Sequence, residues 1–175
     1  MARICLVYAS TDGHTIKICE RLRALIGADA NHVELVSIDA ACGADLAAFY
    51  KVVVGASIRY GRHNPLVIEF VNANAQALES KPSAFFSVNI VARKPQKNRP
   101  ETNPYVRKFL QQSRWHPKHL DVFAGKLDYP RYGVVDRMMI RIIMWMTHGP
   151  TDPRTVVEFT DWNRVEAFAK RVATM

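Results

Sequence analysis

The segment at residues 10–15 constrains this chain most, because it joins a short apolar run to an amphipathic helix. Residues 3–9 are mainly apolar and predict a buried first strand. Behind the segment, Ile18, Leu22, Leu25 and Ile26 share one helical face. The segment itself consists of Ser10, Thr11, Asp12, Gly13, His14 and Thr15. Hydroxyls, a glycine and the N–H groups of a helix N-terminus favour a phosphate site, although an ordinary capped turn shares these features.

Strands and helices alternate along most of the chain. Apolar runs predict five strands, at residues 3–9, 32–38, 51–57, 83–90 and 121–125. Helical spacing predicts helices at residues 65–78, at 105–112 and near the C-terminus, where Thr160 or Asp161 caps the helix. This alternation favours an α/β fold with a five-stranded parallel sheet, in the order 2-1-3-4-5, and helices on both faces. We therefore expect a single domain over residues 1–175.

Residues 127 to about 155 do not fit this minimal plan and predict an insertion associated with the fifth strand, which resumes at residues 156–160. The insertion contains a predicted helix at 134–148, where apolar side chains cover about half of the circumference at ~100° per residue. That helix is shorter than the ~20 residues of a membrane span. Its stripe favours peripheral attachment to an anionic membrane surface through residues 133–148, or packing against the sheet or a second subunit.

The positive charge of the chain is concentrated in one segment. The formal net charge is +8, and residues 91–148 hold twelve Lys and Arg against four Asp and Glu, whereas the remainder is balanced. Such a segment suits anionic lipid, nucleic acid or an acidic small molecule. Because no nucleic-acid-reading motif accompanies it, we expect no nucleic-acid partner.

The cysteines and histidines predict no metal centre. Cys5, Cys19 and Cys42 are scattered without metal-ligand spacing, which favours a reducing compartment. Met1 leads directly into the first strand, so we expect no signal peptide and a cytoplasmic protein. His63 is either a proton acceptor or a surface residue, and no catalytic acid or base is assigned.

The first loop resembles the phosphate loop of flavodoxins, Ser/Thr-x-Thr-Gly-x-Thr. Ser10, Gly13 and Thr15 are in register with that pattern, whereas Asp12 stands where it usually has a hydroxyl. The resemblance implies FMN as the cofactor, bound beyond the carboxyl ends of the strands.

Two further loops would complete an FMN site in a fold of this kind. The loop after the third strand contains Ala56, Ser57, Ile58, Arg59, Tyr60 and Gly61. There Tyr60 can stack on the flavin, and Arg59 can favour its anionic reduced form. The loop after the fourth strand contains Ser87, Val88, Asn89 and Ile90, and the Asn89 amide can donate and accept at the pyrimidine edge. Taken alone, either loop is also compatible with an ordinary turn.

Longer segments resemble the menaquinone-dependent protoporphyrinogen oxidases, which are flavodoxin-like FMN enzymes of bacterial haem biosynthesis. The matching segments are residues 55–61, 82–95, 107–110, 129–132, 136–140 and 159–162. The resemblance covers nearly the whole chain and includes the basic insertion. Asp12 fits this family, whose first loop contains Asp-Gly-x-Thr.

This resemblance implies oxidation of protoporphyrinogen IX to protoporphyrin IX, with electrons passing through FMN to menaquinone or ubiquinone. It also implies a peripheral location on the cytoplasmic face of the bacterial inner membrane. Because the substrate carries two propionates, the candidate substrate-binding residues are Arg93, Lys94, Lys97 and Arg131, unless Arg93 and Lys94 form a solvated charge run. A flavodoxin-type electron carrier and an NAD(P)H:quinone reductase are the alternatives, and homo-oligomerisation stays open.

Overall fold

Five apolar runs form one parallel sheet in a computed structural model of the chain, which describes residues 2–28 and 31–175. The strands of the main sheet are β1 (Arg3–Ala9), β2 (His32–Ser37), β3 (Lys51–Arg59), β4 (Arg62–His63), β5 (Ser83–Asn89) and β6 (His119–Ala124). The parallel strands follow the order β2-β1-β3-β5-β6, which confirms the predicted order 2-1-3-4-5. The sixth strand, β4, has two residues and pairs antiparallel with the end of β3.

Helices cover both faces of this sheet, as predicted. They are α1 (His14–Gly27), α2 (Ile38–Ala41), α3 (Pro65–Ala73), α4 (Ala75–Glu79), α5 (Pro104–Gln112), α6 (Val134–Met146) and α7 (Trp162–Thr174). Short 3-10 helices lie at Leu46–Ala48, Ile90–Arg93, Pro95–Lys97 and Tyr129–Arg131. Side chains of α1 and α7 pack on one face of the sheet, and those of α2 to α5 pack on the other. Both faces of the central strands are therefore buried, which explains their unbroken apolar sequence.

Several boundaries differ from the sequence prediction for local reasons. The single helix predicted at residues 65–78 is divided at Asn74, whose side-chain amide donates to the Phe70 carbonyl. Asp161, rather than Thr160, caps α7, because its carboxylate accepts a 3.0 Å hydrogen bond from the Asn163 backbone. The predicted strand end at Ile38 is instead the first residue of α2.

A second, two-stranded sheet carries the segment that does not fit the minimal plan. Strands β7 (Lys126–Asp128) and β8 (Val156–Glu158) pair antiparallel, with Asp128 opposite Val156. The segment predicted to resume the fifth strand therefore joins this hairpin rather than the main sheet. Helix α6 lies between β7 and β8 and is thirteen residues long. Across the described residues, we find no helix with the length and apolar character of a membrane span.

Candidate functional site

The loops at the carboxyl ends of β1, β3 and β5 meet α6 around one cavity of about 420 Å³. Parallel strands place these loops at the same edge of the sheet, where ligands of such folds bind. The predicted residues that line the cavity are Ser10, Thr11, Asp12, His14, Thr15, Ser57, Ile58, Arg59, Tyr60, Gly61, Val88, Asn89, Ile90 and Arg131. Those that do not line it are Gly13, Ala56, Ser87, Arg93, Lys94 and Lys97.

The first loop presents the open N-terminus of α1 to the cavity. Gly13 occupies the N-cap with φ +82°, a conformation that L side chains rarely adopt, and no side chain of the described residues caps the helix. The Ser10 hydroxyl accepts a 3.1 Å hydrogen bond from the Gly13 amide, which holds the turn. The following N–H groups of the first helical turn lack intrahelical partners, as at any helix start. This arrangement suits a bound anion.

The His14 ring fixes the first loop to the chain that leaves the second sheet. The Thr160 hydroxyl donates to the Ala124 carbonyl at 2.7 Å, so the His14 Nε2–H donates to Thr160 across 2.6 Å. Burial lowers the pKa of His14, which favours the neutral ring. His14 therefore positions this wall of the cavity as a neutral hydrogen-bond donor.

The second loop is a tight turn that is tied to α6. Tyr60 and Gly61 have φ of +50° and +71°, and the positive value is uncommon for tyrosine. The Tyr60 hydroxyl donates to the carboxylate of Asp136, and the Arg59 guanidinium lies 3.1 Å from the other oxygen of that carboxylate. The Arg59 guanidinium also stacks 5.0 Å from the centre of the Tyr60 ring. The turn is thus fastened to the first helical turn of α6.

The third loop contains a buried amide network. Asn89 Oδ1 accepts from the Ala92 backbone and from Asn103, at 3.2 and 3.0 Å, and its Nδ2 donates to Ser87 at 3.1 Å. Sequence reasoning assigned both ends of this amide to a ligand, but the structure satisfies both within the protein. His63 Nε2 lies 2.9 Å from the same Ser87 hydroxyl, and burial lowers the pKa of His63 to about 4. His63 is therefore a buried, neutral residue rather than a surface one.

The four candidate substrate-binding residues separate into two groups. Arg131 lines the cavity, and within residues 2–28 and 31–175 its guanidinium has no ion-pair partner. Arg93 instead donates to the carbonyl and hydroxyl of Thr147, at 3.2 and 3.0 Å, just beyond α6. Lys94 and Lys97 lie in the neighbouring 3-10 segment, away from the cavity. Arg131 is the cation among these four that can meet a ligand in the cavity.

Sequence reasoning placed one residue of the insertion, Arg131, at the ligand site but did not anticipate that α6 forms a wall of the cavity. The unpredicted lining residues are Val91, Tyr105, Gly125, Lys126, Asp128, Tyr132, Asp136, Met139, Ile140, Ile143 and Met144. One signal was available, since apolar residues cover about half of the α6 circumference, more than the ~100° stripe of a helix with one buried face. The surplus indicates two apolar faces, of which one faces the cavity.

Charges of both signs surround the first loop. Burial raises the pKa of Asp12, with Asp136 and Asp128 adding to the effect, while the nearby guanidinium groups of Arg59 and Arg131 oppose it. These two guanidinium groups offset part of the negative charge that Asp12 places beside an anion. Among the residues that the structure describes, His, Cys, Asp and Glu side chains form no cluster that could hold a metal ion.

Comparisons with known proteins agree with this architecture. The flavodoxin domain family matches residues 5–154. A protoporphyrinogen IX dehydrogenase (quinone) from Escherichia coli K12 is 42% identical over 168 residues, covering 96% of this chain and 93% of that protein. The protein of the same name from Leishmania major is 44% identical over 172 residues, covering 97% and 74% respectively.

The solved structure of flavodoxin 1 from Bacillus cereus superimposes with a TM-score of 0.53 at 15% identity, covering 99% of this chain and 98% of that one. At this identity the similarity supports the fold alone. The two dehydrogenases are more closely related to this chain than that flavodoxin is, because they match nearly the whole chain at more than 40% identity. The chain therefore belongs to the flavodoxin domain family and, within it, to the quinone-type protoporphyrinogen IX dehydrogenases, which are oxidoreductases.

Proposed function

We propose that this protein uses FMN to oxidise protoporphyrinogen IX to protoporphyrin IX and passes the electrons to a membrane quinone, menaquinone or ubiquinone. The observation that carries the proposal is the convergence of three strand-end loops and the insertion helix on one cavity. The identity to the quinone-type dehydrogenases, which extends through that insertion, supports the same reaction. The site residues below are our assignments.

The first loop fits the phosphate of FMN. Ser10, Thr11 and Thr15 line the cavity beside the uncapped N-terminus of α1, where backbone N–H groups and the helix dipole favour an anion. We assign residues 10–15 to the phosphate, with His14 holding the loop through Thr160. The positive charges of Arg59 and Arg131 lie near Asp12 and offset its carboxylate there.

The flavin ring would lie between the second and third loops, residues 56–61 and 87–90. Bound FMN supplies two-electron redox chemistry at this place. Tyr60 offers an aromatic surface, and Arg59 offers a positive charge that stabilises a developing anion. The Asn89 amide supports the third loop from inside, because both of its ends are hydrogen-bonded within the protein.

Arg131 is the side chain best placed to bind a propionate of the substrate. Its guanidinium lines the cavity and can form a bidentate pair with a carboxylate. In this arrangement Arg93 holds the C-terminal end of α6 through Thr147 and does not contact the substrate. Replacing Arg131 with Gln should therefore raise the KM for protoporphyrinogen more than the same change at Lys97, which lies outside the cavity and serves as the control.

The outer face of α6 is the surface that we assign to an anionic membrane. Its exposed large apolar side chains are Val134, Val135, Met138, Ile142, Trp145 and Met146. Each contributes about 1.5–3 kcal/mol when fully buried, which suffices for reversible peripheral binding when several insert together. On this basis we assign the protein to the cytoplasmic face of the bacterial inner membrane, where the lipid would hold its quinone.

The pairing of β7 with β8 allows α6 to be deleted, which tests membrane attachment. The Tyr129 backbone N–H donates to the Thr155 carbonyl at 3.2 Å, next to the last β7–β8 pair, so an Asn-Gly turn can replace residues 130–154. The shortened protein should keep its fold and lose binding to anionic liposomes in a flotation assay. Flotation equal to that of the full chain would show that α6 is not the membrane anchor.

The reaction itself is tested anaerobically with FMN-loaded protein, protoporphyrinogen IX and menaquinone liposomes. Porphyrin fluorescence should increase faster only when both FMN and quinone are present. Electron transfer to a partner protein without any acceleration of porphyrin formation would indicate an electron carrier instead. Rapid bleaching of the flavin by NADH or NADPH would indicate an NAD(P)H:quinone reductase.

A further inference from the structure

Helix α6 has two apolar faces, and the two edges between these faces differ in polarity. Met139, Ile140, Ile143 and Met144 line the cavity. At ~100° per residue, the exposed side chains of Val134 and Trp145 fall on the opposite part of the circumference. Between these two faces the helix has two edges, and their chemistry determines where the cavity opens.

One edge is closed by arginines that bind the surrounding backbone. Arg137 donates to the carbonyls of Tyr129 and Tyr132, both at 3.2 Å. One turn later, Arg141 donates to the carbonyl of Thr151 at 2.9 Å. These hydrogen bonds attach the edge to the chain segments that flank the helix. The two arginines make this edge polar.

The other edge is apolar and open. Met139 and Ile143 line the cavity, yet their side chains are 39% and 44% exposed. Around the circumference, Val135 and Met146 come next, and both belong to the outer face, at 69% exposure each. The apolar surface is therefore continuous from the outer face of α6 into the cavity across Met139 and Ile143.

We propose that the Met139–Ile143 edge is the entrance through which a lipid-dissolved isoprenoid quinone reaches the cavity directly from the bilayer. The proposal rests on the function proposed above and adds the route of one substrate. An isoprenoid tail stays in apolar surroundings along this path, so no apolar area is exposed to water. The anionic porphyrinogen does not suit an apolar entrance and would instead pair with Arg131, which also lines the cavity.

The test compares Ile143→Asn with Ile142→Asn in the FMN-loaded protein. The two positions are adjacent, but Ile142 belongs only to the outer face. The measured quantity is the ratio of the KM for long-chain menaquinone in liposomes to the KM for a water-soluble naphthoquinone. Both values are determined on the protein that is bound to liposomes. Ile143→Asn should raise this ratio about fivefold or more, because a polar group then stands in the path of the tail, whereas Ile142→Asn should leave it unchanged.

A photoreactive long-chain quinone supplies a readout that does not need turnover. It should label the peptide around Met139 and Ile143 in both FMN-free and FMN-loaded protein on liposomes, and unlabelled menaquinone should compete. Equal KM ratios for the two variants, or labelling confined to the Arg137–Arg141 edge, would overturn the entrance. If the wild-type protein reduces neither quinone, the proposed function fails instead.

Discussion

Replacing Gly13 with Val tests whether the first loop holds the FMN phosphate. From the sequence alone, a larger side chain should crowd the loop. The structure gives a different reason, because a Cβ built on Gly13 meets no atom of residues 2–28 and 31–175 within 4 Å. What restricts the position is its backbone, with φ +82° and ψ −8°.

The size of the effect follows from that conformation. An L-residue in the left-handed region costs roughly 1–2 kcal/mol, and a β-branched side chain is among the least tolerated there. If the loop relaxes to avoid this cost, its N–H groups no longer point at the phosphate together. A loss of 1–2 kcal/mol in binding corresponds to an FMN Kd about 5- to 30-fold higher.

The assay is titration of the FMN-free protein with FMN, followed by quenching of flavin fluorescence, together with thermal unfolding. Gly13→Asn should bind FMN within about threefold of the wild type, because Asn tolerates the left-handed region. Gly27→Val is the matched control, since Gly27 lies at the other end of α1, is equally open and has no positive φ. If Gly13→Val binds FMN as the wild type does, residues 10–15 do not hold the phosphate as we assign it.

Three further predictions concern stability and the fastening of α6. A Cβ at Gly55 would lie 2.2 Å from the ring of the fully buried Phe86, so Gly55→Ala should lower the free energy of unfolding by about 1–3 kcal/mol; unchanged urea unfolding would contradict this packing. The pKa of His63 is lowered from 6.5 to about 4 in the folded state, so the unfolded state binds the proton first and stability falls as pH decreases. Urea unfolding should show a loss of about 2 kcal/mol from pH 7 to pH 5, and His63→Asn should flatten that slope, whereas an identical slope would rule out His63 as its source. Asp136→Asn removes the charge that pairs with Arg59 at 3.1 Å, so limited proteolysis should cleave α6 several-fold faster; equal cleavage rates would show that the pair does not fasten the helix.

The sheet could be predicted from the sequence because its determinants are local. The apolar run at residues 51–57 and the β1–α1 transition are each visible within a short window. The alternation of strands and helices indicates a parallel sheet, and five strands with a phosphate loop after the first fit the flavodoxin-like order. The break at Asn74 escaped prediction, since the side-chain bond to Phe70 competes with a helical pattern that continues on both sides.

The sequence predicted which loops form the site, but not which of their side chains are hydrogen-bonded within the protein. Which side chains stay free depends on contacts between residues far apart in sequence. The Asn89 amide is hydrogen-bonded to Asn103, and the Arg93 guanidinium is hydrogen-bonded to Thr147, fifty-four residues away. The periodicity of α6 indicates two apolar faces but not which of them lies against the cavity. The position of the β7–β8 hairpin decides that.

An experimental structure of the protein with FMN and a porphyrin bound tests the account most directly. We predict that the phosphate lies at residues 10–15, where backbone N–H groups at the start of α1 donate to it, and that the ring lies between the second and third loops, residues 56–61 and 87–90. A porphyrin propionate should pair with Arg131. FMN bound away from the loops of β1, β3 and β5, or a porphyrin outside the cavity beneath α6, would contradict the account.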